Sequence, residues 1–514
     1  MIRWVLASSP LIVLLVTMLG LKWKAKRAGT LAWIVALAVA WIFFGGHPQL
    51  LAMASAKGVS LTLFVVLIIW TSAFMFQIIN ETGTVPVISR WMGTLSSDSL
   101  MLGLLMGWAL SGVIQAVAGY GVPVAVCAPL MIAAGFDPLV AASATLVGHA
   151  WSITFGSMGS SYYTLNLSTK LPGDVLSHWV GLTFIVPTVL TGLAVAHITH
   201  GFAGVRRGFA KILAAGLAMG TVQWVIARMG SAQIAALLGS LAGVVVIVLT
   251  SSGRRTQSMA SQGSQREVSL ALTPYYALLA LTMISQIGPV KAFFKPFKFG
   301  VDYPAMVTRL GYQVVAEKAY AAIGLFSHPA PIIALASMVG IAVYRWKGLL
   351  QPGALGRAWQ NTVKQCWPTT LGVLTMVMMA LVMTDTGMTR EMALGVASFA
   401  GPLFPLVSPF VGVLGCFMTG SNTNANILFG SFQVETARTL GLSSTLVAAS
   451  QTCGASLGSS IAPSKVLLGS STSGLTGREH EVLRKCLPYC LLIVLLLGAQ
   501  TLVVTRLLPP TLVP

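Results

Sequence analysis

Acidic side chains are almost missing from this sequence: only 12 Asp and Glu stand in 514 residues, and charged residues of both signs make up 8%. A soluble domain carries about 25% charged residues to keep its surface in water, so a soluble fold is excluded. The six cysteines lie in or beside apolar runs and show no framework spacing. That argues against a disulfide scaffold or a metal centre, and for buried free thiols. Signatures of enzyme chemistry are missing too: no P-loop, no His-Glu-x-x-His, no paired carboxylate cluster, and no Gly-x-Ser-x-Gly on a strand-to-helix turn. No enzyme activity and no cofactor are expected, and without a nucleotide site any transport draws on an ion gradient.

What is present is apolar length. Hydrophobic residues make up 55% of the chain, and the mean hydropathy is +0.83. Apolar runs near the length that crosses a bilayer recur from 4–21 to 485–507, which gives an all-α polytopic membrane protein of roughly 12 to 14 transmembrane helices. Pieces at 112–134 and 419–437 are left between a full span and two half-helices that dip in and return.

The net charge of +19 could suggest nucleic acid, but the bases stand in short loops beside helix ends: Lys22 to Arg27, Arg206 to Lys211, Arg254 and Arg255, Arg345 and Lys347, and Arg478 to Lys485. This is the positive-inside pattern, and it puts the N-terminus outside. The first apolar run has its bases after it and no small-x-small cleavage site, so it reads as a retained helix. Residues 251–268 form a polar Ser/Gly/Gln-rich linker. The basic, aromatic segment 291–320 reads as an interfacial or peripheral helix pair.

An internal repeat organises the rest. At an offset of 307, Leu139-Val-Ala-Ala-Ser-Ala-Thr145 falls on Leu446-Val-Ala-Ala-Ser-Gln-Thr452, Gln115 on Asn422, Ser152 on Ser459 and Ser157 on Ser464. Three residues looser, Glu81-Thr-Gly83 falls on Asp385-Thr-Gly387. The layout that follows is N-terminal helices 1–57, repeat 1 over 58–175 with hairpin 112–134, connecting scaffold helices 176–365, repeat 2 over 366–475 with hairpin 419–437, and a closing helix 476–514. Paired Gly-interrupted segments in corresponding halves of an apolar chain point to a transporter's binding site.

The first such segment runs Gln115-Ala-Val-Ala-Gly119-Tyr120-Gly121-Val-Pro123. Two glycines and a proline make an unbroken helix costly there, and polar backbone freed inside a bilayer must be covered. A half-helix would point its free amides and positive dipole end at an anion. A close helix crossing is the other reading, because Gly and Ala let backbones approach. The matching run Ser421-Asn422-Thr423-Asn424-Ala425-Asn426 tips the balance toward a site, since so many amide and hydroxyl groups are expensive in lipid.

Ser/Gly-rich flanks follow each run, with Ser157 in the first and Ser464-Lys465 in the second. Membrane serines commonly bond back to their own helix. Lys465 either snorkels to an interface or faces a cavity that holds an anion. Three groups are candidates for proton coupling. Glu81 and Asp385 each precede a Thr-Gly helix stop, where interfacial capping is the plainer reading, and His149 lies in an apolar helix, where a neighbour commonly satisfies it.

At these residues the chain resembles the L-lactate permease family of carboxylate:proton symporters. The resemblance rests on Gln115 to Pro123, Phe155-Gly-Ser-Met-Gly159, Gly420-Ser-Asn-Thr-Asn-Ala-Asn-Ile-Leu-Phe429, and Ile461-Ala-Pro-Ser464 followed by Gly474-Leu-Thr-Gly-Arg-Glu479. It implies inverted repeats whose hairpins meet near the midplane, a plasma-membrane location, and site roles for Gly119, Gly121, Ser421, Asn422, Thr423, Asn426 and Ser464. The chain departs from the family at two points. Gln115 stands where members commonly read Glu, and Ala462-Pro463-Ser464-Lys465 stands where they commonly read Ser-Pro-Gln.

The reading is a secondary carrier (symporter) for a small organic anion of the lactate or glycolate type, driven by protons. A carrier for a dicarboxylate or sulfonate and a passive anion channel are the alternatives. The expected partners are the anion, a co-transported proton or sodium ion, and membrane lipid, with no nucleic acid; a homodimer stays open as the assembly. The candidate substrate-binding residues are Gln115, Gly119, Tyr120, Gly121, Ser157, Ser421, Asn422, Thr423, Asn424, Asn426, Ser464 and Lys465.

Overall fold

Two long helices near the start of the two repeats lie side by side and run in opposite directions. Pro48–Glu81 has Pro48 in its first turn behind the His47 cap, and Ala354–Asp385 starts from the left-handed Gly353. Their contacts fix the direction: Lys57 meets Asp385, Trp70 donates to Thr370, Gln77 to Gln365, and Arg357 to Glu81. As residue numbers rise along one helix they fall along the other. The resemblance implies inverted repeats, and this antiparallel pair is what inversion requires.

The structure, a computed structural model, describes residues 2–83, 96–119, 121–251, 269–270, 272–326 and 328–508. Among them, ten helices are long and apolar enough to cross a membrane, or twelve if each of two bent helix pairs counts as one span. The longest, Gly173–Arg228, breaks at Gly201, where the backbone leaves the helical region at φ 64° and ψ −161°. Residue Tyr120 and nearly all of the 251–268 linker fall outside the described residues.

Each repeat carries a hairpin and a broken helix. In the first, the arm Ser99–Val117 begins at the Asp98 cap, and past the positive-φ Gly119 and Gly121 the chain returns as Val122–Ala133. Its two ends meet. His200 contacts Ser99 at 3.1 Å and the ring of Phe136 at 6.2 Å, so the hairpin leaves on the face it entered. In the second, Phe404–Thr419 turns at Gly420 and returns as Asn422–Thr439, and Phe404 packs on Ala437. Both hairpins therefore re-enter, and the arms start earlier in the chain than the polar runs alone suggest.

The broken helices follow. Pro138–Ser152 and Gly156–Thr169 meet at a 50° bend, where Ser157, Met158 and Gly159 are left-handed in succession, with φ of 47°, 55° and 75°. Its counterpart Ser444–Gly458 passes through a short 3-10 turn into Pro463–Thr472.

The segment read as an interfacial helix pair is instead mostly a small β cap. Only Gly288–Phe294 is helical there. Strand β1 (Lys298–Tyr303) pairs antiparallel with β4 (Glu317–Gly324), setting Val301 opposite Tyr320, and β2 (Met306–Val307) pairs with β3 (Gln313–Val314). Several of the basic and aromatic residues that suggested an interfacial helix pair lie on these short strands, and the β1–β4 register is interrupted between Phe299 and Val301 and between Val301 and Tyr303. The cap covers one face only: Arg309 N–H donates to Gly45 at the end of helix Ala25–Phe43, and Tyr312 lies against Gly387 beyond the end of Ala354–Asp385.

Candidate functional site

The four chain breaks converge. At the first hairpin tip, Gly119 has φ +59°, and a β-carbon there would overlap the Ser157 hydroxyl in the broken helix of the same repeat. In the second repeat, Gly420 has φ +70° and stands in the same relation to Ser464. Gly156 likewise lies against Gln115, and Gly121, at φ +83°, against Leu468. Gly119 and Gly420 thus seat in the breaks of their own repeats, an approach that only glycine permits, while Gly121 meets the broken helix of the other repeat.

Polar contacts then join the two repeats. Asn422 Nδ2 donates to Thr154 Oγ1 at 2.9 Å, and Thr154 Oγ1 lies 3.1 Å from Thr452 Oγ1. Asn426 Nδ2 donates to the Ser161 carbonyl at 3.0 Å and to Thr452 Oγ1 at 2.9 Å, while the Ser161 and Thr423 hydroxyls are 2.9 Å apart. Ser456 Oγ donates to the Ala150 carbonyl at 2.6 Å. The cost of burying so many polar groups is offset because they satisfy one another.

Beside this network lies a cavity of about 570 Å³. On the core side it is lined by Gln115, Ser157, Ser421, Asn422, Thr423, Asn424, Ser464 and Lys465, with Ser160 and Ser161; the far wall is Trp367 to Gly372 of the scaffold helix Ala354–Asp385, together with Lys24 and Lys26. The second hairpin aims the start of helix Asn422–Thr439 at this space, where Ser421 caps only the Asn424 amide, at 3.4 Å. The first turn of a helix leaves N–H groups without intrahelical partners, and its dipole favours negative charge. Helix Pro463–Thr472 also begins here, with no side-chain cap.

Lys465 is buried and donates to Ser459 Oγ. Gln115 is 2% exposed, and its Oε1, like Asn424 Oδ1, has no hydrogen-bond partner among the described residues. No carboxylate stands among the described lining residues, while three lysines do. The surround is one of donors and positive charge, fitted to an anion.

The remaining candidates lie apart from the lining. Asn426 sits beneath it in the inter-repeat network, and Gly119 and Gly121 support it from the first tip. His149 is buried at the inner end of helix Pro138–Gly148, with Nδ1 2.6 Å from the Thr145 carbonyl and Nε2 unpartnered among the described residues. Since a carbonyl can only accept, Nδ1 carries the proton in this geometry. Glu81 and Asp385 are far along the scaffold pair, where Arg357 holds Glu81 at 2.8 Å and Lys57 holds Asp385 at 2.8 Å. Sequence reasoning did not select Thr154, Thr452, Ser160 or Ser161, although the repeat offset marks Thr452. Lys24 and Lys26 read as loop charges, and only tertiary structure brings them to the cavity mouth.

A family profile described as L-lactate permease matches residues 3–508. The L-lactate permease of Salmonella typhi is 26% identical over 96% of this chain and 94% of its own length. The glycolate permease GlcA of Escherichia coli K12 is 25% identical over the same shares, and the L-lactate permease of Bacillus subtilis 24% over 92% and 90%. Among solved structures, the YdaH transporter of Alcanivorax borkumensis aligns with a TM-score of 0.52 at 14% identity, covering 94% of this chain and 98% of that one. That likeness speaks to fold alone.

Proposed function

The chain belongs to the L-lactate permease family and is a multi-pass membrane transporter, not an enzyme; we propose that it is a proton-driven symporter for a small 2-hydroxy monocarboxylate such as lactate or glycolate. The observation that carries this reading is the cavity itself, where broken-helix ends and the buried Lys465 meet with no carboxylate among the described lining residues. A carboxylate would take its donors from Lys465 and the first turn of helix Asn422–Thr439. The amide oxygens of Gln115 and Asn424, without partners among the described residues, offer acceptors for a 2-hydroxyl.

A monocarboxylate needs one buried countercharge, and Lys465 supplies one. Lys24 and Lys26 are exposed at the mouth, so their charge serves entry more than binding. With no acid among the described lining residues, the coupling proton is assigned to a group outside the lining. His149 is the coupling candidate that the geometry favours, because its Nε2 has no partner among the described residues while Asp385 and Glu81 are committed to ion pairs.

The test is uptake by the purified protein in sealed vesicles, with labelled lactate, glycolate, malate and a sulfonate, with and without a pH gradient. Uphill accumulation of lactate or glycolate that follows the pH gradient is expected. Accumulation that follows a sodium gradient instead would replace the proton. Simple equilibration would leave a channel, since a pore cannot concentrate its solute.

A further inference from the structure

Among the described residues, the two buried charged side chains that do not line the cavity, Lys57 and Asp385, lie together under the β cap. Lys57 Nζ lies 2.8 Å from Asp385 and 3.0 Å from Glu317 of β4, and Glu317 also pairs with Lys170. These four side chains come from four elements: the two antiparallel scaffold helices, the cap, and the end of the core helix Gly156–Thr169, where Lys170 is the left-handed C-cap. Two cations and two anions balance within the cluster. The ring of Tyr320 adds a face 5.6 Å from Lys57.

Exposure divides the cluster into a fixed part and a releasable part. The side chains of Lys57 and Asp385 are 1% and 4% exposed, Glu317 13%, and Lys170 44%. The cap is thus tied to the scaffold by buried groups and to the core by a half-exposed one. Helix Gly156–Thr169 carries Ser157, Ser160 and Ser161 into the cavity wall at one end and ends at Lys170 at the other. Between them Tyr163 packs across the seam onto Phe64 of the scaffold, with ring centroids 6.2 Å apart. A crevice of about 350 Å³, lined by Leu167, Lys170, Glu317 and Tyr320 among others, marks the same seam at the surface.

The cavity opens on the other face. Lys24 and Lys26 at its mouth stand at the start of helix Ala25–Phe43, whose far end meets the cap through Gly45 and Arg309. The structure is therefore open away from the cap and closed beneath it. A carrier must reverse this, exposing the site to one face at a time. Opening the capped face requires the core helix to leave the scaffold, and along this seam that means parting Lys170 from Glu317.

We propose that Glu317 is a gating residue that locks the capped face shut by pairing with Lys170 of the core while Lys57 anchors it to the scaffold. This rests on the reading of the chain as a carrier but not on which anion it carries. Loss of the lock shifts the population toward the state open under the cap, because two conformations exchange and the pair stabilises only one.

The experiment introduces Ser160→Cys as a reporter in the cavity wall. The six native cysteines are buried, and a membrane-impermeant maleimide is supplied only on the capped face. Glu317→Gln is expected to raise the labelling rate about five-fold, Lys170→Gln to raise it in the same direction, and Glu317→Asp to stay near wild type. Lys170 is half-exposed at a helix end, so its variant keeps the test readable if Glu317→Gln misfolds. In uptake, both neutral variants should change the maximal rate and leave the half-saturating concentration unmoved. Unchanged labelling in both, or a rise in Glu317→Gln alone, overturns the proposal. Labelling consumes no transported solute, so it stays informative if the substrate proves to be a different anion.

Discussion

Gly119 approaches Ser157 so closely that the β-carbon of any other residue would overlap the serine hydroxyl, and Gly420 does the same to Ser464. Ser157 and Ser464 are repeat equivalents, so one contact is built twice. Both glycines also hold positive φ, where an L side chain costs about 1–2 kcal/mol. Gly119→Ala and Gly420→Ala should therefore reduce uptake to about a tenth or less, since a displaced tip misplaces the donors around the anion. Gly474 is the control: its φ is +72° but nothing lies within 4 Å, so Gly474→Ala carries the backbone cost alone. Equal losses in all three variants would mean that the tip contacts are not what matters.

Among the described lining residues of the cavity, Lys465 is the buried cation. Replacing it with Gln removes the countercharge and should raise the half-saturating concentration of lactate about ten-fold or more, equivalent to roughly 1.4 kcal/mol. Uptake is measured with and without a pH gradient. An unchanged rate and unchanged gradient dependence would remove Lys465 from the mechanism.

Lys24 and Lys26 are exposed at the mouth of the same cavity. Their fields raise the local concentration of an anion, and about 0.1 M salt screens such fields over roughly 10 Å. The double substitution to Gln should weaken uptake about two- to five-fold in low-salt buffer and have almost no effect at high ionic strength. An effect that persists in salt would point to direct contact with the substrate.

The convergence of the two polar runs is legible in the sequence because its signals are local. Glycines, a proline and a row of Asn and Thr residues have no cheap place in lipid, and the offset that pairs Gln115 with Asn422 tells the reader to look for two of them. The direction of each repeat is not local. It emerges from pairings such as Lys57 with Asp385, 328 residues apart. The cap escapes sequence reading for a related reason: bases and aromatics mark 291–320 as interfacial, but β1 and β4 are joined only by pairing across an intervening stretch. Lys24 and Lys26 carry no mark of a site at all, since a basic loop beside a helix end is what any membrane protein shows.

The scaffold pair is pinned at both ends by ion pairs of different character, which separates two roles for a carboxylate. Glu81 meets Arg357, whose side chain is half-exposed, and such a surface pair contributes about 0–1 kcal/mol. Asp385 meets Lys57 where both are buried, and breaking a buried pair from one side typically costs about 3–5 kcal/mol, because a charge is left uncompensated. Here Lys57 keeps Glu317 as a second partner, so the loss should fall toward the lower end of that range. Asp385→Asn should therefore lower the apparent melting temperature in detergent by several degrees, and Glu81→Gln by little. The double variant Lys57→Met with Asp385→Asn should recover part of the loss, since it removes the buried cation left in excess, though Glu317 then keeps only Lys170. If Asp385→Asn instead leaves stability intact and abolishes only gradient-driven uptake, the carboxylate is a coupling group rather than a structural one, and His149 yields that role to it.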